Sequence, residues 1–404
     1  MRAIILVIVI SVAARASAQV DALTLEGKLV CGYQGWFNCA GDGADRGWVH
    51  WSKSKDRMDS STVHIDLWPD MTELGPDERF ATAFRHADGS AATVFSSFHR
   101  ATVLRHFEWM RQYGIDGVMV QRFATGLKTP RVLHHTDTVL AHCREGAKQS
   151  GRCYAVMYDL SGLAAGRIDE VIEDWRRLRH DLRVTDDKAY LHHRGKPLVA
   201  VWGVGFNDGR AYTLAECRTL VDAMKRDGAT VMLGVPTHWR ELKGDAIADP
   251  ELHALIKLAD IVSPWTVGRY RTPAEAQRFA ATTLTQDLAW CAERKLDYLP
   301  VVFPGFSWHN LKGGPINQIP RLRGEFFWSQ LTGVRRAEAS MVYVAMFDEG
   351  DEGTAIFKCT NDVPTGSQFV TYEGLPSDYY LRLAGTGAKL VRGEMSVDTP
   401  QPMP

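Results

Sequence analysis

Four carboxylates crowd into five consecutive positions of the stretch FDEGDEGTAIFK at 347–358: Asp348, Glu349, Asp351 and Glu352. They follow directly on the apolar run MVYVAM at 341–346. A solvated turn, a metal cage and a catalytic pair all use such a cluster. Glu349 and Glu352 are three residues apart, so both can face one cavity, as i and i+3 residues do on a helical turn. Cleavage of a glycosidic bond commonly uses two carboxylates, one protonated and one ionised, held apart in pKa by their surroundings. Gly350 and Gly353 let the backbone between and after them turn tightly. The metal alternative lacks the D-x-[DN]-x-[DN]-G spacing of a calcium loop and any second acid cluster, so neither metal nor cofactor is expected. Neither G-x-S-x-G nor H-E-x-x-H occurs, which removes the serine-hydrolase and zinc-peptidase classes.

The acidic stretch closes the last of eight apolar runs, at 29–37, 114–123, 152–161, 196–206, 230–239, 259–268, 298–308 and 341–350. Continuous apolar runs indicate strands covered on both faces, as in a parallel sheet. Helical spacing lies between them, at Val103, Leu104, Phe107, Met110 and Tyr113 with Gly114 as a stop, and at Ile168, Val171, Ile172, Trp175 and Leu178. Eight strands alternating with helices predict an α/β fold, a single-domain (β/α)8 TIM barrel, and the lack of G-x-G-x-x-G after the first run weighs against a dinucleotide fold. Residues 38–97 are too long for a plain connection and are expected to form an elaborated β1-α1 loop over the barrel mouth. A Gly/Pro-rich loop at 309–321 and a closing helix at 377–394 complete the expectation.

In such a barrel the site sits at the C-terminal ends of the strands. Those ends read Tyr33, Gln34 and Trp36; Gln121 and Arg122; Tyr158 and Asp159; Trp202; His238 and Trp239; Trp265, Arg269 and Tyr270; Trp308 and His309; and the four acids. Aromatic platforms beside carboxylates suit a sugar, whose rings present apolar C–H faces and whose hydroxyls need polar partners. Glu349 and Glu352 are therefore the expected catalytic pair. Tyr33, Trp36, Gln121, Arg122, Asp159, Trp202, His238, Trp265, Trp308, His309 and Asp348 are the expected substrate-binding residues. Trp48, Trp51 and Trp68 of the long loop are expected to wall subsites, whereas Trp109 and Trp175 belong to helix packing, and His134, His135, His192 and His193 to surface or structure.

The 404 residues carry a formal net charge of −1 with dispersed basic residues, which gives no stripe for a nucleic-acid backbone. The start, MRAIILVIVISVAARASAQ, has a cationic residue, a short apolar stretch and an A-x-A site. It reads as a signal peptide over 1–18, leaving 19–404 as the barrel domain, periplasmic or secreted and not inserted in a membrane. The seven cysteines form no C-x-x-C pair, and Cys31 with Cys39 is the expected bridge if one forms.

FDEGDEGTAI resembles the strand-8 signature of glycoside hydrolase family 99, the endo-acting α-mannosidases, and CGYQGWF resembles that family's first strand. GYQGWF, QRF, FDEGDEGTAIFK and YLRLAGTGAKLVRGE are similar to bacterial proteins grouped as family 71/99-like. The resemblance implies that Glu349 is the base acting on the substrate's 2-hydroxyl and that Glu352 is the acid protonating the leaving oxygen. The reaction would pass through a 1,2-anhydro sugar with net retention, and Tyr33 would sit in the mannose pocket. Here Asp348 precedes Glu349 and Gly350 follows it, where the family carries Asn-Glu-Trp. The resemblance thus implies an exported glycoside hydrolase of α-linked polysaccharide or glycan. A non-catalytic carbohydrate-binding barrel and a polysaccharide lyase using Arg122 are the alternatives.

Overall fold

The computed structural model describes residues 19–404. The expected signal segment lies outside the described residues. In chain order the elements are β1 (Leu29–Tyr33), β2 (Phe80–Arg85), β3 (Ala91–Val94), α1 (Arg100–Tyr113), β4 (Gly117–Phe123), α2 (Pro130–Ser150), β5 (Cys153–Asp159) and α3 (Ile168–His180). There follow β6 (His192–His193), β7 (Lys196–Trp202), α4 (Leu214–Arg226), β8 (Thr230–Pro236), α5 (Glu251–Ile256), β9 (Ile261–Trp265), α6 (Pro273–Phe279) and α7 (Thr285–Glu293). The last are β10 (Asp297–Tyr298), β11 (Val301–Val302), α8 (His309–Lys312), α9 (Glu325–Arg336), β12 (Val342–Val344) and α10 (Tyr379–Val391).

The parallel strands run in the order β10-β9-β8-β7-β5-β4-β1-β12-β11. β10 and β11 are two halves of the seventh apolar run, split at Leu299 and Pro300, because proline cannot donate to the ladder. β10 pairs with β9 and β11 with β12, so the chain itself closes the ring into a (β/α)8 barrel. Strands β4, β5 and β8 are buried almost throughout, which is why their sequences read as unbroken apolar runs rather than alternating ones. The helices form the outer layer. α1 stops at Gly114, whose φ of 78° is the left-handed conformation that a C-cap glycine adopts without a Cβ clash. α4 opens on a capping box in which Thr213 and Glu216 satisfy each other's backbone N–H.

Side-chain alternation along the strands decides what reaches the barrel axis. On β1, a Cβ at Gly32 would collide with the Tyr343 hydroxyl and Met346, so Gly32 faces inward and its neighbour Tyr33 outward. Inside the barrel, Gln121 Nε2 donates to Tyr343 Oη at 3.2 Å and to Met157 Sδ at 3.2 Å, forming a polar floor among buried residues.

The 38–97 loop carries the antiparallel hairpin β2–β3 and lies against the acidic turn, to which Asp66 and Leu67 donate both backbone N–H groups at the Gly350 carbonyl. Its Trp51 and Trp68 are fully buried and Trp48 nearly so; they form the loop's own core and, contrary to expectation, do not line the cleft at the strand ends. All seven cysteines are free and buried, so the expected Cys31–Cys39 bridge is absent: Cys39 Sγ points instead at the Phe95 carbonyl, 3.1 Å away. Among the described residues no helix is long and apolar enough to cross a membrane.

Candidate active site

The eighth strand of the ring, β12, delivers the acids through a tight turn. The Phe347 N–H donates to the Gly32 carbonyl at 2.8 Å, and the Glu349 carbonyl then accepts the N–H groups of Thr354 and Ala355. Gly353 takes φ 65°, and a Cβ there would stand 3.0 Å from Ser307 N, so the glycine is required by both strain and space. Arg321, a fully buried residue from the second loop, donates Nη2 to the carbonyls of Gly353 and Ala355 at 2.8 and 2.7 Å. Its guanidinium lies over the rings of Tyr380 and Tyr372.

The four acids of the turn part company. Glu349 and Glu352 face a cleft of about 300 Å³ at the strand ends. Glu349 is held by two donors: Gln34 Nε2 gives to Oε1 at 2.6 Å, and Thr354 Oγ1 to Oε2 at 2.7 Å. Burial, Glu352 and Asp351 push the Glu349 carboxyl up, while those two donors favour its ionised form. Burial also pushes Glu352 up to about 8, with Asp351 adding to the rise and Trp308 and Lys312 opposing it. Two like charges in one dry site cannot both be held, and Glu349 with its paired donors is the better place for the charge. Burial thus favours a proton on the pair, and the two donors at Glu349 leave Glu352 as the candidate to carry it.

Asp348 and Asp351 turn the other way. Asp348, expected to bind substrate, is wholly buried and accepts the backbone N–H groups of Gln34 and Gly35 at 2.7 and 2.8 Å, so it fixes the end of β1 instead. Asp351 meets His50 of the long loop, Nδ1 to Oδ2 at 3.0 Å.

Of the remaining expected residues, Trp36, Gln121, Asp159, Trp202, Trp265 and Trp308 all line the cleft. Asp159 is held by the Ser161 N–H at 2.7 Å, and burial raises its carboxyl above the usual range. Gln34, Phe123 and Ser161 line it as well; Phe123 and Ser161 lie two residues on from Gln121 and Asp159, where the inward-facing register continued would have found them.

Four other expectations are corrected. Tyr33 is fully buried with its hydroxyl 3.0 Å from His106 Nδ1, packed against Phe107 and Phe347 behind the barrel wall. Arg122, one residue after the inward Gln121, points into the helix layer and pairs with Asp174 and Asp137. His238 stands on the rim and is tied to Asp245, Nδ1 to Oδ1 at 2.9 Å. His309 starts α8, with Nδ1 bonded to the Gly314 carbonyl at 2.8 Å, and is not among the residues that line the cleft. Trp109 and Trp175 are buried in packing, and His135 supports the β1 loop through the Gly35 carbonyl at 2.8 Å.

No family model matches the chain, and no curated protein does. Solved structures do. The GH99 endo-α-mannosidase of Bacteroides thetaiotaomicron superimposes with a TM-score of 0.66 at 16% identity, over 92% of this chain and 100% of that one. Its complex with BIS-TRIS-propane gives 0.64 at 15% identity, over 92% and 98%. A glycoside hydrolase-like protein gives 0.52 at 13% identity, over 80% and 94%. The chain shares their barrel fold. At these identities the likeness is one of architecture, and the chemistry has to be read from the cleft.

Proposed function

We propose that this chain is an exported glycoside hydrolase acting on a polysaccharide or glycan, with Glu352 as proton donor and Glu349 as its partner carboxylate. The observation that carries the reading is that both glutamates face one aromatic-walled cleft while Asp348 and Asp351, from the same turn, serve the protein. Trp36, Trp202, Trp265 and Trp308 offer flat apolar faces, and Gln34, Gln121, Asp159 and Ser161 offer partners for hydroxyls. The barrel likeness to endo-α-mannosidases and the strand-8 resemblance favour an α-linked substrate and a retaining course. In that course Glu349 takes the proton of the sugar's 2-hydroxyl as that oxygen closes on C1, and the C1–oxygen bond to the leaving group breaks as Glu352 protonates it. Water then opens the anhydro ring with the two proton transfers reversed. A lyase would need a cation facing the carboxylates. Arg122 is committed to Asp174 and Asp137 in the helix layer, which argues against it.

The test is to incubate the protein with a panel of α-linked polysaccharides, mannans among them, and follow released oligosaccharides. Glu352→Gln should lower turnover by roughly 10²–10⁴-fold, the usual share of general acid catalysis. Aryl glycosides with acidic phenols should lose much less, while Glu349→Gln should impair both substrate kinds. Binding without product from the unaltered protein would instead indicate a carbohydrate-binding barrel, and product formation untouched by either substitution would overturn the assignment.

A further inference from the structure

The acidic turn has a second face, where Asp351 meets two histidines of the long loop. His50 Nδ1 lies 3.0 Å from Asp351 Oδ2, and one ligand atom each from His50, His64 and Asp351 all lie within 4.8 Å of one another. Asp351 is 2% exposed, yet its Oδ1 has no hydrogen-bond partner, and neither has the buried Nδ1 of His64. Unpaired buried polar atoms are costly, and both belong to residues of this one cluster. The other such group among the described residues, Glu26, His193 and Asp297, differs in this respect. There Asp297 accepts from His193 Nε2 at 2.8 Å and pairs with Arg194, and His193 Nδ1 accepts the Leu25 N–H, so its donors and acceptors are already used.

We propose that His50, His64 and Asp351 bind a divalent transition-metal ion of the zinc type, clipping the long loop to the turn that carries Glu349 and Glu352. Two imidazoles and a carboxylate are the borderline donor set zinc prefers, and three protein ligands leave a fourth tetrahedral position for water. Calcium and magnesium want six or more oxygens, which this cluster lacks. The clip is independent of the sugar reading, because the metal can be titrated without any substrate.

The experiment strips the full protein with a chelator, removes the chelator, and titrates with zinc chloride by calorimetry, following thermal unfolding in parallel. One ion per chain and a rise in Tm of several degrees at saturation are expected. Cobalt should give the visible absorption of a tetrahedral site. His64→Ala, at a partly exposed loop position, should weaken zinc binding by more than the ten- to hundredfold cost of losing an outer-shell partner, and Asp351→Asn likewise. If His64→Ala folds poorly, His64→Gln serves the same comparison. Absence of stoichiometric binding, equal binding by the His64 variants, or calcium binding as well as zinc would each overturn the proposal.

Discussion

The strand ends and the long loop beside them are both rich in tryptophan and use it in opposite ways. Trp36 and Trp202 at the strand ends are half-buried, line the cleft, and have indole N–H groups without a partner in the protein. In the loop, Trp51 and Trp68 are fully buried and donate to the backbone carbonyls of Phe95 and Thr93 at 2.8 and 3.2 Å. A ring closed off on both faces is a packing residue, whereas one that lines a cleft can lay a face against something outside the chain. Tryptophan content alone does not distinguish a wall from a core. What distinguishes them is whether the ring lines the cleft or is closed off in a core.

The largest effect should come from the loop's core. Trp51→Ala removes a buried ring that packs on Phe37 at 4.1 Å and Phe95 at 5.0 Å, and should cost about 3–5 kcal/mol in urea unfolding. A Trp51 variant of unchanged stability that binds substrate poorly would erase the distinction. Next comes Arg122→Met, which strands Asp174 in the helix layer. Tyr158 and Arg177 still contact Asp174, so the loss should fall near the lower end of the 3–5 kcal/mol typical of a broken buried pair. Turnover per folded molecule should be unaffected, and a selective loss of turnover would return Arg122 to the cleft. Trp202→Ala should do the reverse, leaving the unfolding midpoint nearly in place while raising KM by up to about tenfold, the worth of one aromatic contact.

The barrel was legible because each apolar run is long, unbroken and separated by helical spacing, and burial on both faces leaves no other reading for Gly117–Phe123 or Thr230–Pro236. Even the strand split at Pro300 keeps its place in the ring. Which side chains reach the cleft was less legible, since a one-residue error in parity exchanges Gln121 with Arg122 and Gln34 with Tyr33. The helix layer then supplies partners, Asp174 and His106, that are distant in sequence and invisible to a reading of strand ends. The same holds for the loop, whose His50 meets Asp351 from 301 positions away in the chain.

The smallest effect lies within the acidic turn itself, where Asp348 is adjacent to a cleft residue yet serves the backbone. Burial pushes its carboxyl up to about 7, against the pull of the Gly35 and Gln34 N–H groups. Its folded pKa stands above the unfolded value of about 3.9, so unfolding releases a proton between those values. The sign follows: this residue's contribution to stability is greatest below about pH 4 and declines as pH rises to about 7, unlike an aspartate in a salt bridge. Asp348→Asn cannot ionise and should flatten that decline. Its amide can accept only one of the two N–H groups through its oxygen, so a baseline loss of about 1 kcal/mol is expected at low pH. Urea midpoints of the two proteins at pH 4 and pH 7 measure both parts. A variant whose stability falls with pH as steeply as the unaltered protein would show that Asp348 is not the group titrating, and that its carboxylate is stabilised by the backbone of β1 rather than strained against burial.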